Sequence, residues 1–155
     1  MTSNGEIAKL MVKLANFEIG KEFFDDVGKI AVESIHRNIE QQKQADGSQL
    51  QENLESTTER KRRLGRPQLS LVDAHKRFIS KRKGWVVNAT KKGVTVFPSS
   101  YMGGGKQTLK DLVRWLQTAT RHRPAYTGWF AIDAKGVKAV RDLVRKRIKS
   151  GLRSR

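Results

Sequence analysis

Apolar residues recur at helical spacing through the first quarter of the chain: Ile7, Leu10, Met11 and Leu14, then Phe23, Phe24, Val27, Ile30, Ala31, Ile35 and Ile39. Steps of three and four put such residues on one face of an α-helix. Ser3 or Asn4 is suited to capping its start. The stripe slips around Phe17–Gly20, so residues 4 to about 44 read as two helices or as one long helix bent at Gly20. Asp46-Gly47-Ser48 then has the chemistry of a turn. Residues 49–70 show no sustained period, although Ser56, Thr57 and Thr58 are placed to cap a short helix that Gly65 and Pro67 would close.

The second half changes period twice. Leu71, Val72, Ala74, His75, Phe78 and Ile79 predict a short helix with its apolar side inward. Gly84 to Ser100 reads as a β-hairpin: Trp85–Val87 outward, Lys91-Lys92-Gly93 as the turn, Val94, Val96 and Phe97 on the return. Pro98 stops the second strand because it has no N–H to give to a ladder. Met102–Gly105 predicts a flexible loop, and Leu109, Leu112, Val113 and Leu116 a helix of about three turns with Trp115 on its flank. The aromatic-rich segment 124–132 (PAYTGWFAI) predicts a third strand or edge. Ala134–Ser150 predicts a closing helix with Val137, Val140, Leu143, Val144 and Ile148 on one face and basic residues on the other.

These elements predict an α+β fold in a single domain spanning 1–155: a helical region over 1–44, an extended connecting loop over 45–70, and an α+β body over 71–155. The body holds a small antiparallel β-sheet with a hairpin, a helix after the Gly-rich loop and a basic C-terminal helix. A chain of 155 residues buries roughly 70% of its unfolded surface, enough for a core without staples. There is no cysteine, which removes disulfides, thiolate nucleophiles and Cys-based zinc sites together and suits a reducing compartment. No apolar run reaches the ~20 residues of a membrane span. The first ten residues lack the basic and apolar regions of a secretory leader, so neither membrane insertion nor export is expected.

Charge divides the chain. Residues 1–55 hold 6 Lys/Arg against 10 Asp/Glu, a net of −4, and residues 56–155 hold 26 against 5, a net of +21. Such asymmetry points to a polyanion or an acidic protein surface facing the second part. Three basic groups stand out: Arg60, Lys61, Arg62, Arg63 and Arg66 in the connection; Lys76, Arg77, Lys81, Arg82 and Lys83 after it; and Arg141, Arg145, Lys146, Arg147, Lys149, Arg153 and Arg155 at the end. One such run is normally a solvated face. Three under so large a net charge repel one another unless counter-charges arrive from nucleic acid or acidic neighbours.

Catalytic grammar is missing by comparison. Gly103-Gly104-Gly105-Lys106-Gln107-Thr108 fails the phosphate-binding pattern, which needs Gly at position 100 and Ser or Thr at position 107, where the chain has Ser100 and Gln107. His36, His75 and His122 lie far apart and lack the spacing of a helical zinc site. Asp73 and His75 have no nucleophile-elbow serine to serve. Glu22, Asp25 and Asp26 read as the polar side of a helix, and Trp85, Tyr126 and Trp129 as core aromatics more than as stacking platforms for bases. No catalytic residue, metal ligand or cofactor-binding residue is assigned.

Taken in order, several of these parts are similar to the tailed-phage virion-morphogenesis family of tail-completion and neck proteins. The matching residues are the Asp46-Gly47-Ser48 turn, the Ser56–Arg62 strip, Leu71, Asp73 and Phe78, the hairpin, and Arg123-Pro124, Tyr126 and Gly128 leading into the last helix. The resemblance covers about residues 20–150. Ala45 stands where the family has Pro, Ala74–Phe78 replaces its Thr-Gly-Arg-Leu, and Gly103–Thr118 looks like a replacement or an insertion.

The resemblance implies a non-enzymatic structural virion protein that forms an oligomeric ring, commonly sixfold, at the neck or tail top. Such a ring completes the tail and joins it to the head, and is assembled in the bacterial host cytoplasm. The implied partners are further copies of the chain, the phage connector, and tail-tube or terminator proteins, with genomic double-stranded DNA as a further candidate contact and no membrane. Arg60, Lys61, Arg62, Arg63, Arg66, Arg145, Lys146 and Arg147 are the candidate subunit or DNA contacts. A ring needs two different complementary faces, which the acidic N-terminal and basic C-terminal parts would supply. The alternative is a basic nucleic-acid-binding module that stays small and binds free DNA with a steep salt dependence.

Overall fold

A computed structural model describes residues 19–66, 68, 84–99, 108–118, 126 and 128–153. The expected helices over 4–18 and 71–79, the Gly-rich loop, the basic group at 76–83 and the pair Asp73 and His75 lie outside these residues, as does His122. The fold is α+β: helices and a two-stranded antiparallel sheet.

The central element is α1, Lys21–Gln41. Gly20 is its N-cap, in extended backbone with φ −75° and ψ 169°, so this helix begins at the place where the apolar stripe slips. Phe23, Ala31, Val32, Ile35 and Ile39 form its buried side, the three- and four-residue spacing of an amphipathic helix. Gly28 is on that side for a steric reason: a Cβ there would collide with Val87 Cγ1 and Val94 Cγ2. Helix and hairpin therefore touch almost backbone to side chain.

The chain leaves α1 through a tight turn. Asp46 Oδ1 accepts hydrogen bonds from Ser48 N–H at 2.9 Å and Ser48 Oγ at 2.7 Å. Lys43 and Gln49 pair across the turn, which delivers Leu50 into the core. Within the connection over 45–70, where the sequence offers a short helix, the chain forms α2 over Glu55–Arg63. Leu54 occupies the N-cap position without a side-chain hydrogen bond. Ser56, Thr57 and Thr58 thus lie inside the first turns instead of capping it, because the helix starts one residue before the hydroxyl run. Its end is as expected: Gly65 at φ 61° closes it, with Gly65 N–H on Arg62 O at 3.0 Å and Arg66 N–H on Lys61 O at 2.9 Å. These two bonds are the Schellman pattern.

The hairpin pairs β1, Trp85–Ala89, with β2, Val94–Pro98, in the register Trp85↔Pro98, Val87↔Val96 and Ala89↔Val94. The odd-numbered residues of β1 and the even-numbered residues of β2 face α1, while Val86 and Phe97 face outward. Next, α3 covers Leu109–Leu116, two turns where three were expected. Thr108 and Asp111 close a reciprocal capping box at its start, so the helix gains its first turn from side-chain bonds and sends Val113 and Leu116 into the core.

The third strand or edge expected at 124–132 is not formed by its described residues: the chain bends at 128–131, and among the described residues the sheet has two strands. The reason lies on α1. Asn38 Nδ2 donates to Trp129 O at 2.9 Å and to Ala131 O at 3.0 Å. A side chain thereby takes the carbonyls that a strand partner would have used. Trp129, 0% exposed, fills the centre of a core shared by Val32, Ile35, Ile39, Leu50, Trp85, Val113, Leu116 and Tyr126.

The last helix, α4, covers Ala134–Arg153 and packs on α1. It runs antiparallel to it, since Asp133 meets Arg37 at one end and Arg147 lies 3.8 Å from Glu22 at the other. Its inner side is Val140, Leu143, Val144 and Ile148, all half-buried. Val137, expected on that side, is 40% exposed, and Gly136 takes the buried position in its turn. Among the described residues no helix is long and apolar enough to cross a membrane.

Candidate functional site

The eight candidate contact residues fall on two elements. Arg60, Lys61, Arg62 and Arg63 form the last turn of α2, and Arg66 follows the closing Gly65. Cations there complement the carbonyl end of the helix. Arg63 pairs with Glu59 one turn earlier, an arrangement that adds a few tenths of a kcal/mol to a helix. No residue of α2 is buried. Leu54 and Leu64, at its two ends, are also exposed. Thr57, Thr58 and Lys61 are half-buried on one side of this nine-residue helix, and the rest of it faces solvent.

The base of this excursion is nevertheless fixed. Asn53 accepts a hydrogen bond at Oδ1 from the hydroxyl of buried Tyr126, and donates from Nδ2 to Gln68 O at 2.7 Å. One side chain thus ties both ends of 54–67 to the core. Its helix is presented while its roots are held.

Arg145, Lys146 and Arg147 lie late on α4 and are exposed. Arg145 approaches Asp142 on its own helix at 3.5 Å, and Arg147 approaches Glu22 on α1 at 3.8 Å. The two basic groups therefore belong to different helices with different footings, one without a buried face and one leaning on α1. The acidic half and the basic half meet inside one molecule, along the α1–α4 seam.

That seam contains the polar cluster that sequence reasoning missed. Asp133 is the N-cap of α4, accepting from Gly136 N–H at 2.7 Å. The same carboxylate takes two bonds from Arg37, Nε to Oδ2 and Nη2 to Oδ1, both 2.9 Å, and a third from Ser34 Oγ at 3.0 Å. The two charged side chains are 22% and 17% exposed. The Arg37 guanidinium is the main cause that lowers the Asp133 carboxyl to about 2, with Gly136 and Ser34 adding to it against burial. Arg37 is raised in turn by its bond to Asp133. One signal was available: an acidic residue directly before a helical run is a cap. The other, Ser34 and Asn38 set among the apolar positions of α1, reads as a polar intrusion until their partners are seen.

The remaining chemistry-bearing residues are structural. His36 Nε2 accepts from Trp85 Nε1–H at 3.0 Å, which joins α1 to the hairpin. Trp85, Tyr126 and Trp129 are core residues. Thr108, beside the lysine of the Gly-rich run, caps α3. Asp25 and Asp26 pair with Lys21 and Lys29 on their own helix. A shallow cleft of about 210 Å³ between α1 and β1 is lined by Lys29, Val32, Glu33, Trp85 and Val87. Among the described residues no cluster of His, Asp and Glu is placed to hold a metal ion. Compared with family models, with curated proteins and with solved structures, the chain matches none.

Proposed function

We propose that this chain is a structural subunit of a tailed-phage neck, one copy of a ring at the tail top that completes the tail and joins it to the head. The observation that carries the reading is α2. A short basic helix with no buried residue, flanked by exposed Leu54 and Leu64 and rooted to the core through Asn53, has the construction of a docking element. Its two exposed leucines offer apolar anchors and its last turn offers charge to a neighbouring subunit. The order of turn, basic strip, hairpin, aromatic segment and final helix, on which the family resemblance rests, supports the same reading.

Particle size tests it. The purified chain, alone and mixed with tail-tube and connector proteins, should give a discrete ring by mass photometry and negative-stain imaging. A Leu64→Glu variant and a charge swap at Arg60, Arg62 and Arg63 should each leave the fold intact by circular dichroism and abolish the ring. A chain that stays monomeric under all these conditions, or rings that form equally well from both variants, would overturn the proposal.

A further inference from the structure

We propose that the outer face of α4 is a sequence-independent binding surface for the phosphate backbone of double-stranded DNA. Val140, Leu143, Val144 and Ile148 turn toward α1. On the opposite side stand Lys135, Lys138, Arg145, Lys146 and Lys149, all exposed. The stripe has one carboxylate, Asp142, 3.5 Å from Arg145. At 1.5 Å per residue, positions 135 to 149 extend over about 21 Å, the length of several successive phosphates on a duplex.

Helix stability does not account for these charges. Cations suit the C-terminal turns of a helix, where they face the negative end of its dipole. Lys135 and Lys138 are in the first two turns, where a positive charge is unfavourable, and no acidic residue accompanies them in the first turn. The charge runs the full length of the helix, and that continuity fits a linear polyanion.

Magnitudes choose among the partners. The whole of α4 holds eight cations and one carboxylate, a net of +7, whereas α1 holds three cations and five carboxylates, a net of −2. Three of those five carboxylates already lie against cations of their own chain, Asp25 at Lys21, Asp26 at Lys29 and Glu22 near Arg147. The α1 helix of a second copy would therefore offset less than a third of the charge on α4. Single-stranded nucleic acid is bound largely by aromatic side chains that stack on bases, and the outer face of α4 has none. A duplex asks only for phosphate contacts. The stripe belongs to the folded chain in any oligomeric state, so this inference and the ring reading fail independently.

The test is fluorescence anisotropy of the full chain with two unrelated 20-base-pair DNA duplexes between about 0.05 and 0.3 M salt. Five phosphate contacts give a slope of log affinity against log salt of about −4.5. The two duplexes should bind within about twofold of each other, as phosphate contacts carry no sequence information. Replacing Lys135, Lys138, Arg145 and Lys149 by Gln should weaken binding about tenfold or more at 0.1 M salt and flatten the slope by about 3 to 4. Asp142→Lys should act in the opposite direction, tightening binding and steepening the slope by about 1. A flat salt response, or no change in either variant, overturns the proposal. So does tighter binding of polyglutamate or of a 20-nucleotide single strand than of the duplex at equal salt.

Discussion

The guanidinium of Arg37 and the guanidinium of Arg63 each sit within bonding distance of a carboxylate, yet they do different work. Arg37 is largely withdrawn from water, forks onto both oxygens of Asp133, and so joins the last turns of α1 to the start of α4. Arg63 is exposed and pairs with Glu59 four residues earlier on a helix that buries nothing. The first pair has its charges fixed by three further hydrogen bonds; the second is bathed in solvent and screened by salt. Residue type alone does not separate a structural ion pair from an idle one. Burial and the number of simultaneous bonds do.

The contrast is sharpest if the seam is broken. Asp133→Ala removes the cap of α4 and leaves Arg37 partly buried without its carboxylate. A lost cap costs about 1 kcal/mol and a broken, partly buried pair somewhat more, for a total of about 3 kcal/mol. Urea denaturation followed by circular dichroism measures it. A loss no larger than that of a surface substitution would show that the seam is solvated after all.

Acid probes the same carboxylate more gently. Its folded pKa of about 2 lies below its ordinary 3.8, so its contribution is fully present above the ordinary value and is lost as the pH falls through the folded one. Near neutrality the difference is worth about 2 kcal/mol. Asp133→Asn keeps a cap but cannot ionise. The stability gap between the natural chain and this variant should therefore be about 2 kcal/mol at pH 7 and less than half of that by about pH 2.5. A gap that stays constant with pH would assign the effect to packing. Asp46 and Asp111 are also lowered, by bonds from Ser48 and Thr108, and because both chains retain them they cancel in the comparison.

How far the sequence foretold this arrangement depends on how local each signal is. The hairpin was legible because an apolar run over Trp85–Val87, a Lys-Lys-Gly turn and a proline without an N–H all lie within fifteen residues. Gly20 marked the start of α1 because the slip in the stripe and the glycine coincide. The segment 124–132 was misread because β-rich composition describes side chains, while the carbonyls of Trp129 and Ala131 are taken by Asn38, some ninety residues away. The extent of α2 was obscured for the opposite reason. A helix that buries no face has no hydrophobic period to read, and only Gly65 announced its end. Of the candidate contacts, Lys61 is half-buried and the others are exposed, and the sequence could not tell which lie on the helix packed against α1 and which on a helix of their own.

The smallest expected effect concerns that separate helix. Arg60→Gln, Arg62→Gln and Arg63→Gln together remove three of the four cations in the last turn of α2. The Glu59–Arg63 pair contributes a few tenths of a kcal/mol, and interaction of cations with the helix end adds a similar amount. Mutual repulsion among four consecutive cations is relieved by the same change and acts against both. The net shift in global stability should be within about 0.5 kcal/mol, and insensitive to salt once the charges are gone. Thermal and urea unfolding of the triple variant measure this directly, with Asp133→Ala as the reference for what a structural ion pair costs. A loss approaching 2 kcal/mol would mean that α2 is fastened to the body by its arginines, and the distinction between a presented helix and a structural seam would fall. A shift near zero, together with loss of the ring, would place the role of those arginines between molecules and not within one.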